Sequence, residues 1–493
     1  MSAFTDRLRD IRSAPTGKKV GAFFDYDGTL IDGFSASAIV RSRLRSMDFG
    51  MGELAGTLLI ALRGVESEQD YAEVLEATKP VFAGKPYSEM LEFGNRLFKY
   101  ETAAKLRPQM WQIIRAHKEM GHRIVIASSA TRFQIEPIAR EIEADHALAT
   151  DVEVIDGIIT GKVIGRPLWG PGKAAAVRTL AREYEMDLDA SFGYSDGDED
   201  IPYLESVGRP AAVSPGRVMR AEAQARGWPI IDLRNPSANP LVSLARTGAF
   251  YGSFIGSAAV GVAGSVLTLD PKFAEKALPV GNDLGLTLAG VEVRVIDGEE
   301  YLTSARPCVF VFNHQSKLDM PVLIRLIHRD ATGVAKKEIK RVPVLGQILD
   351  AAGLVFIDRA NTDKAIEQMA PAVDKLRNEG MSLVVAPEGT RSPTPRIAQF
   401  KKGPFHIASQ AGVPIVPIVL RNTGELMWRG SQLIKPGTVE VKVLPPVDTS
   451  GWQADEMGEH AEEVRQMFIT TLADWPVESF EDGRMTRSTE NWI

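Results

Sequence analysis

The feature that most constrains this chain is a short apolar run that breaks off at a chemically useful side chain and a glycine turn, used repeatedly. Val20–Phe24 stops at Asp25-Tyr26-Asp27-Gly28-Thr29, Val125–Ala127 stops at Ser128, and the strand near Ser191–Tyr194 stops at Asp196. In the second half, Cys308–Phe312 stops at Asn313-His314, and Leu383–Ala386 stops at Pro387-Glu388-Gly389-Thr390-Arg391. Helical stretches separate these runs. Alternation of buried strands and helices specifies parallel sheets, whose ligands sit beyond the carboxyl ends of the strands.

With 493 residues, one core is too few, so two or three domains are expected. The reading divides the chain into 1–232, a Rossmann-like parallel α/β domain with a helical cap at about 33–102, and 233–285, a linker with an apolar helix. A second α/β domain covers 286–450, and a closing helix with a loosely ordered tail covers 451–493. The Pro/Asn-rich stretch Arg234–Pro240 marks the end of the first domain. A net charge of −7 excludes a general nucleic-acid binder. The single Cys308 lies in an apolar run and forms no disulfide framework, and Met1–Lys19 has no apolar signal segment, so a cytoplasmic setting is expected.

Ala249–Leu269 carries no charge and just reaches the length of a membrane span. Three readings stay open for it: a buried interdomain helix, a helix in the bilayer interface, and a true span. Gly252-xxx-Gly256 matches the small-residue pattern of close helix packing.

Asp25 and Asp27 sit two apart at a strand end, so both carboxylates emerge on one side. Paired carboxylates make poor core and good Mg²⁺ ligands. Gly28 lets the chain turn, and Thr29 offers a hydroxyl and an amide to a phosphate oxygen. Ser128, Lys173 at a helix start, Asp196 and Asp200 complete a set fit for phosphoryl transfer. These residues resemble the haloacid dehalogenase superfamily, in its phosphoserine-phosphatase-like branch, over roughly 18–230. The resemblance implies that Asp25 is the nucleophile and Asp27 the acid/base, with Ser128 and Lys173 on the phosphoryl oxygens. It also implies Mg²⁺ held through Asp25, Asp27 and Asp196, with Asp200 orienting that shell. Tyr194-Ser195-Asp196-Gly197-Asp198 departs from the usual Gly-Asp-Gly spelling but keeps the two acids four residues apart. Phe34, Arg41, Arg43 and Arg45 are available in the cap, and none is given a role.

In the second half, a carboxylate five residues after His314, at Asp319, can reach the imidazole's far nitrogen and fix its tautomer. Such a base can deprotonate an alcohol attacking a thioester. The turn Glu388-Gly389-Thr390-Arg391 suits phosphate, which a guanidinium binds with two parallel hydrogen bonds. Together these resemble the 1-acylglycerol-3-phosphate acyltransferase family over roughly 290–445. His314 and Asp319 match its His-x4-Asp dyad, and Phe356–Arg359 its second block, whose Arg359 helps hold the acceptor phosphate. Glu388–Arg391 match its third block, and Val413–Pro417 its fourth. Ala386 stands where the third block usually has an aromatic residue. The resemblance implies acyl-CoA or acyl carrier protein as donor, lysophosphatidate or glycerol 3-phosphate as acceptor, and no metal.

The two halves together predict a bifunctional enzyme of glycerophospholipid synthesis, peripheral or monotopic on the cytoplasmic face of a membrane. Basic–apolar edges at Lys336–Leu349 and Phe400–Gly403 are expected to meet the lipid surface. Alternatives keep the phosphatase on a soluble metabolite such as phosphoserine, or make the first half a non-catalytic ligand sensor.

Overall fold

The computed structural model describes residues 3–39, 82–233, 240–269, 272–336, 354–357, 370–427, 431–475, 478–481 and 484–487, apart from 167, 393 and 395, with Lys79, Lys340 and Gly346 between. Most of the expected cap (40–78, with Arg41, Arg43 and Arg45), residues 234–239, Arg359 and most of 337–353 lie outside the described residues. The chain divides into two units, Met1–Pro236 and Ser237–Ile493.

The first unit is built on a seven-stranded sheet. Its strands are β1 (Gly21–Phe24), β2 (Arg123–Thr131), β3 (His146–Ile155), β4 (Ile158–Ile164), β5 (Phe192–Ser195), β6 (Arg209–Val213) and β7 (Ile230–Ile231). They lie in the order β4-β3-β2-β1-β5-β6-β7. All neighbours are parallel except β3–β4, an antiparallel hairpin. Every residue of β1 and β5 is buried, because helices cover both faces of a parallel sheet. In register, Phe24 pairs with Ile126 and Tyr194, so Asp25, Ser128 and Asp196 all follow at one edge.

The second unit repeats the principle with β8 (Val291–Asp297), β9 (Val309–Phe312), β10 (Ala331–Lys336), β11 (Val355–Ile357), β12 (Ser382–Val385), β13 (Ile415–Arg421) and β14 (Gly437–Val443). The order is β11-β10-β12-β9-β13-β14-β8, with only β13–β14 antiparallel. Central β9 and β12 are buried throughout, whereas β14 alternates buried and half-buried positions, as a strand with one open face does.

Residues 240–289 do not form a free linker. Helices Pro240–Thr268 and Lys272–Ala289 make a hairpin that is part of the second unit. Its close contacts are not at Gly252 and Gly256, which face open space. Gly281 packs on Ser257 and Gly264 on Phe273, at positions where an added Cβ would lie 1.9 Å and 2.2 Å from its neighbour. Phe250 and Leu286 turn into the core, and Asn282 donates to the Pro321 carbonyl at 2.9 Å. The rest is open: Ile255, Val260, Val266, Leu267, Val280 and Leu284 are each half or more exposed. Of the three readings left open, that of a wholly buried helix does not hold. Only one of the hairpin's stripes meets the core, and its remaining apolar surface finds no protein partner among the described residues.

Two smaller expectations also change. The closing helix Met457–Ala473 lies in the core, where Val464 and Phe468 pack with Phe400 and Phe405. Phe400 is therefore unavailable as the apolar half of an exposed edge; only Lys401 and Lys402 are exposed. The described tail residues form an antiparallel ribbon, Glu478–Glu481 with Arg484–Arg487. Its register sets Glu478 opposite Arg487 and Glu481 opposite Arg484.

Candidate active sites

In the first unit, β1 delivers Asp25, and the helix Pro171–Glu183 delivers Lys173 from its first turn. Pro171 starts that helix where a missing N–H costs nothing. Lys173 is buried and donates from Nζ to Asp25 Oδ1 at 2.9 Å and to Asp200 Oδ2 at 2.6 Å. Ser195 Oγ adds a 2.5 Å bond to the same Asp200 oxygen, leaving Asp200 Oδ1 buried with no partner. Thr29 Oγ1 donates to Asp196 Oδ1 at 3.0 Å. Gly28 sits at φ +76°, and a Cβ there would lie 2.0 Å from Asp196 Oδ2, so the turn tolerates only glycine. Ser128 is buried and its Oγ accepts from Ala130 N.

Asp27 is held by a separate set of donors. Its two oxygens accept from Ser35 N at 2.6 Å and Ser35 Oγ at 2.9 Å.

Burial dominates the electrostatics. It pushes Asp25 well above the carboxylate range, against the pull of Lys173 and with the push of Asp200 and Asp196. It raises Asp27 to about 6 and Asp196 to about 7. Burial alone would lower Lys173, but Asp200 and Asp25 outweigh it and hold the ammonium charged. Among the described residues, acids thus outnumber Lys173, the cation they surround. The unpartnered Asp200 oxygen and this excess negative charge suit a divalent cation. Among the described residues, no three acid, thiol or imidazole groups gather as a metal cage. Mg²⁺ does not need one, because it binds through one or two carboxylates, with water and substrate phosphate completing its shell. Asp25, Asp196 and the open oxygen of Asp200 would supply them, with Asp27 two residues from Asp25 as the remaining acid.

In the second unit, β9 ends at His314 beside the end of β12. His314 Nδ1 lies 2.7 Å from Asp319 Oδ2, and that oxygen also accepts from Gln315 N at 2.8 Å and Ser316 N at 2.9 Å. A carboxylate accepts only, so Nδ1 carries a proton, and in the neutral tautomer Nε2 presents a lone pair. The imidazole keeps 22% exposure while Asp319 has none. Glu388 clasps this loop from β12: Oε1 accepts from His314 N at 2.7 Å and Oε2 from Ala398 N at 3.1 Å. Burial raises Glu388 to about 7. Ser392 N closes the clasp on the His314 carbonyl at 2.7 Å. Gly389, at φ +70°, carries Lys401 against its Cα face. Arg391 is half-buried and Thr390 exposed. Burial, then the nearby Arg391, lowers Lys317, so two cations share the neighbourhood of His314.

Thus Asp25, Lys173 and Asp200 meet directly, Thr29 meets Asp196, and His314, Asp319 and Glu388 meet in the other unit, while Arg359 lies outside the described residues. Several contributors have no sequence signal beyond their place in a motif. Ser35 and Gln134 back Asp27, and Ser195 backs Asp200. Asn313 bonds both the N–H and the carbonyl of Leu420, at 2.7 Å and 2.8 Å, tying β9 to β13. Lys317 could have been flagged as the cation next to the His–Asp dyad.

Comparison with known proteins agrees with this division. A haloacid dehalogenase-like hydrolase model matches residues 22–205, and an acyltransferase model residues 293–421. The 1-acyl-sn-glycerol-3-phosphate acyltransferase of Saccharomyces cerevisiae is 37% identical over 189 residues, 38% of this chain and 62% of that protein. That of Limnanthes douglasii is 34% identical over 200 residues, 39% of this chain and 70% of that protein. The human alpha enzyme of the same name is 34% identical, covering 38% and 66%. The match thus spans less than two thirds of the yeast protein's length and somewhat more of the plant one's. Among solved structures, the acyltransferase PlsC from Thermotoga maritima is similar at 28% identity and TM-score 0.42, over 48% of this chain and 98% of that one. A phosphoserine phosphatase structure is similar at 19% identity and TM-score 0.34, over 44% and 95%.

Proposed function

Because this chain belongs, by its second unit, to the 1-acylglycerol-3-phosphate acyltransferase family and carries a haloacid dehalogenase-like hydrolase domain before it, we propose that it catalyses two reactions of glycerophospholipid synthesis. The second unit transfers an acyl group from acyl-CoA or acyl carrier protein to lysophosphatidate or glycerol 3-phosphate. The first removes phosphate from a phosphomonoester, with Mg²⁺.

The 2.7 Å contact of His314 Nδ1 with Asp319 carries the acyl-transfer reading. With Nδ1–H committed to a carboxylate, Nε2 takes the proton of the acceptor hydroxyl as its oxygen attacks the thioester carbonyl; the C–S bond then breaks and Nε2 returns that proton to the departing thiolate. Asp319, already pinned by two backbone N–H groups, stabilises the imidazolium without moving. Arg391 and Lys317 hold the acceptor's phosphate.

For phosphate removal, Asp25 attacks phosphorus and Lys173 offsets the charge on both Asp25 and the moving phosphoryl oxygens. Asp27 protonates the departing alkoxide, then takes a proton from the water that attacks phosphorus, breaking the bond to Asp25 and releasing phosphate. Burial that keeps Asp27 protonated to about pH 6 supports that role. Asp25, Asp196 and the open oxygen of Asp200 would hold Mg²⁺, which when bound would supply additional charge neutralisation.

The chain works at the cytoplasmic face of a membrane. The exposed apolar side of the helical hairpin, with Lys401 and Lys402 as headgroup contacts, supports an interfacial seat. Incubating the protein and Mg²⁺ with radiolabelled lysophosphatidate, with and without acyl-CoA, tests the whole proposal. His314→Ala should remove only the acylated product and Asp25→Asn only phosphate release. Loss of both with either change contradicts independent sites.

A further inference from the structure

Asp27 is held by a relay that starts in another helix. Thr131, which ends β2, caps the helix Arg132–Glu141, and Gln134 sits at that helix's third position. Gln134 Oε1 accepts from Thr131 N at 3.1 Å and from Thr131 Oγ1 at 2.6 Å. A backbone N–H can only donate, so the amide orientation is set and Nε2 must be the atom that faces Ser35. It does so at 2.9 Å from Ser35 Oγ. Ser35 therefore accepts from Gln134 and spends its one hydroxyl proton on Asp27 Oδ2 at 2.9 Å, while its backbone N–H donates to Oδ1 at 2.6 Å. Ser35 is 1% exposed and Gln134 9%, so water does not compete for either group. Every bond in the chain points toward the carboxylate.

We propose that Gln134, acting through Ser35, is a positioning residue that orients Asp27 and stabilises its carboxylate as it gives up a proton to the leaving alcohol. The inference rests on the phosphatase reading of the first site. In the step concerned, an Asp25 oxygen bonds to phosphorus as the bond from phosphorus to the alkoxide oxygen breaks, and the Asp27 proton moves to that oxygen. Negative charge appears on Asp27 at that moment, and the Ser35 hydroxyl, polarised by Gln134, meets it. A purely structural account assigns Gln134 only the helix cap.

Gln134→Glu separates the two accounts. Glutamate serves as well as glutamine at the third position of a capping box, so the cap survives. Yet it has no N–H to donate, and it draws the Ser35 proton away from Asp27.

Alkyl phosphates need an acid for their leaving oxygen, whereas p-nitrophenolate departs without one. Turnover of full-length protein with Mg²⁺ is measured on p-nitrophenyl phosphate and on an alkyl phosphate such as glycerol 3-phosphate. In Gln134→Glu and in Ser35→Ala the ratio of aryl to alkyl kcat should rise roughly tenfold, the worth of about one hydrogen bond, and Ser35→Thr should restore it. Ser35→Ala decides the matter should Gln134→Glu fold poorly. Equal losses on both substrates, or no change in the ratio, overturn the relay. Failure of the unaltered protein on both substrates overturns the phosphatase reading, and the relay with it.

Discussion

Lys173→Met removes the one ammonium buried among the acids of the first unit. Its Nζ lies 2.9 Å from Asp25 and 2.6 Å from Asp200, with both partners nearly solvent-free. At an effective dielectric of about 20, each contact is worth about 6 kcal/mol of gross attraction. Dehydrating the ammonium offsets most of that, and removing one partner of such a cluster costs about 3–5 kcal/mol net. For a unit of this size, the loss lowers the melting temperature by about 6–20 °C at pH 8. Thermal ramps on the full chain, sampled by pulsed hydrogen–deuterium exchange, report it through peptides from β1 and β5.

The sign with pH is set by linkage. In the variant the carboxylates keep pKa values above those of the unfolded chain, so between about 4 and 7 the folded state binds more protons. Stability then falls as pH rises through that window. The deficit relative to the unaltered protein should therefore shrink on going from pH 8 to pH 5. Millimolar Mg²⁺ should raise the melting temperature of both proteins, and that of the variant more. A variant within 2 °C of the unaltered protein at pH 8, or a deficit that grows with acid, refutes the buried-ammonium reasoning (roughly the resolution such effects allow).

Three further outcomes follow from named contacts. Asp319→Asn, which keeps the shape but not the charge opposite His314, should cut kcat for acyl transfer by roughly 10²–10⁴-fold with little change in acceptor KM, as initial rates will show. Asn313→Ala strands both backbone groups of Leu420 and should cost about 2–4 kcal/mol in urea unfolding of the second unit, with hydrolysis by the first unit unchanged. Glu388, raised to about 7 from its ordinary 4.5, makes that unit lose stability as pH rises from about 4.5 to 7. Glu388→Gln, which does not titrate, should flatten that slope in denaturation curves at pH 5 and 8.

Much of the architecture is written locally. Runs such as Val309–Phe312 are apolar at every position because both faces of a parallel strand are covered, and the residue after each run is thereby delivered to one edge. The Asp25, Lys173 and Asp200 cluster and the His314–Asp319 pair are therefore legible as motifs, because strand ends and helix starts place them. Ser35 and Gln134 are not legible: they lie 99 residues apart, and nothing in either neighbourhood announces the other. The same holds for Asn313 and Leu420, 107 residues apart.

Sequence alone determined which reactive side chains stand at the strand ends, since a residue's type and its place after an apolar run are both local. Tertiary structure alone decided three other things: which oxygen of Asp27 meets which donor, that Phe400 is core, and that the apolar helix is one arm of a hairpin with an uncovered side. Side-chain partners far apart in the chain are chosen by packing, and local pattern carries no record of that choice.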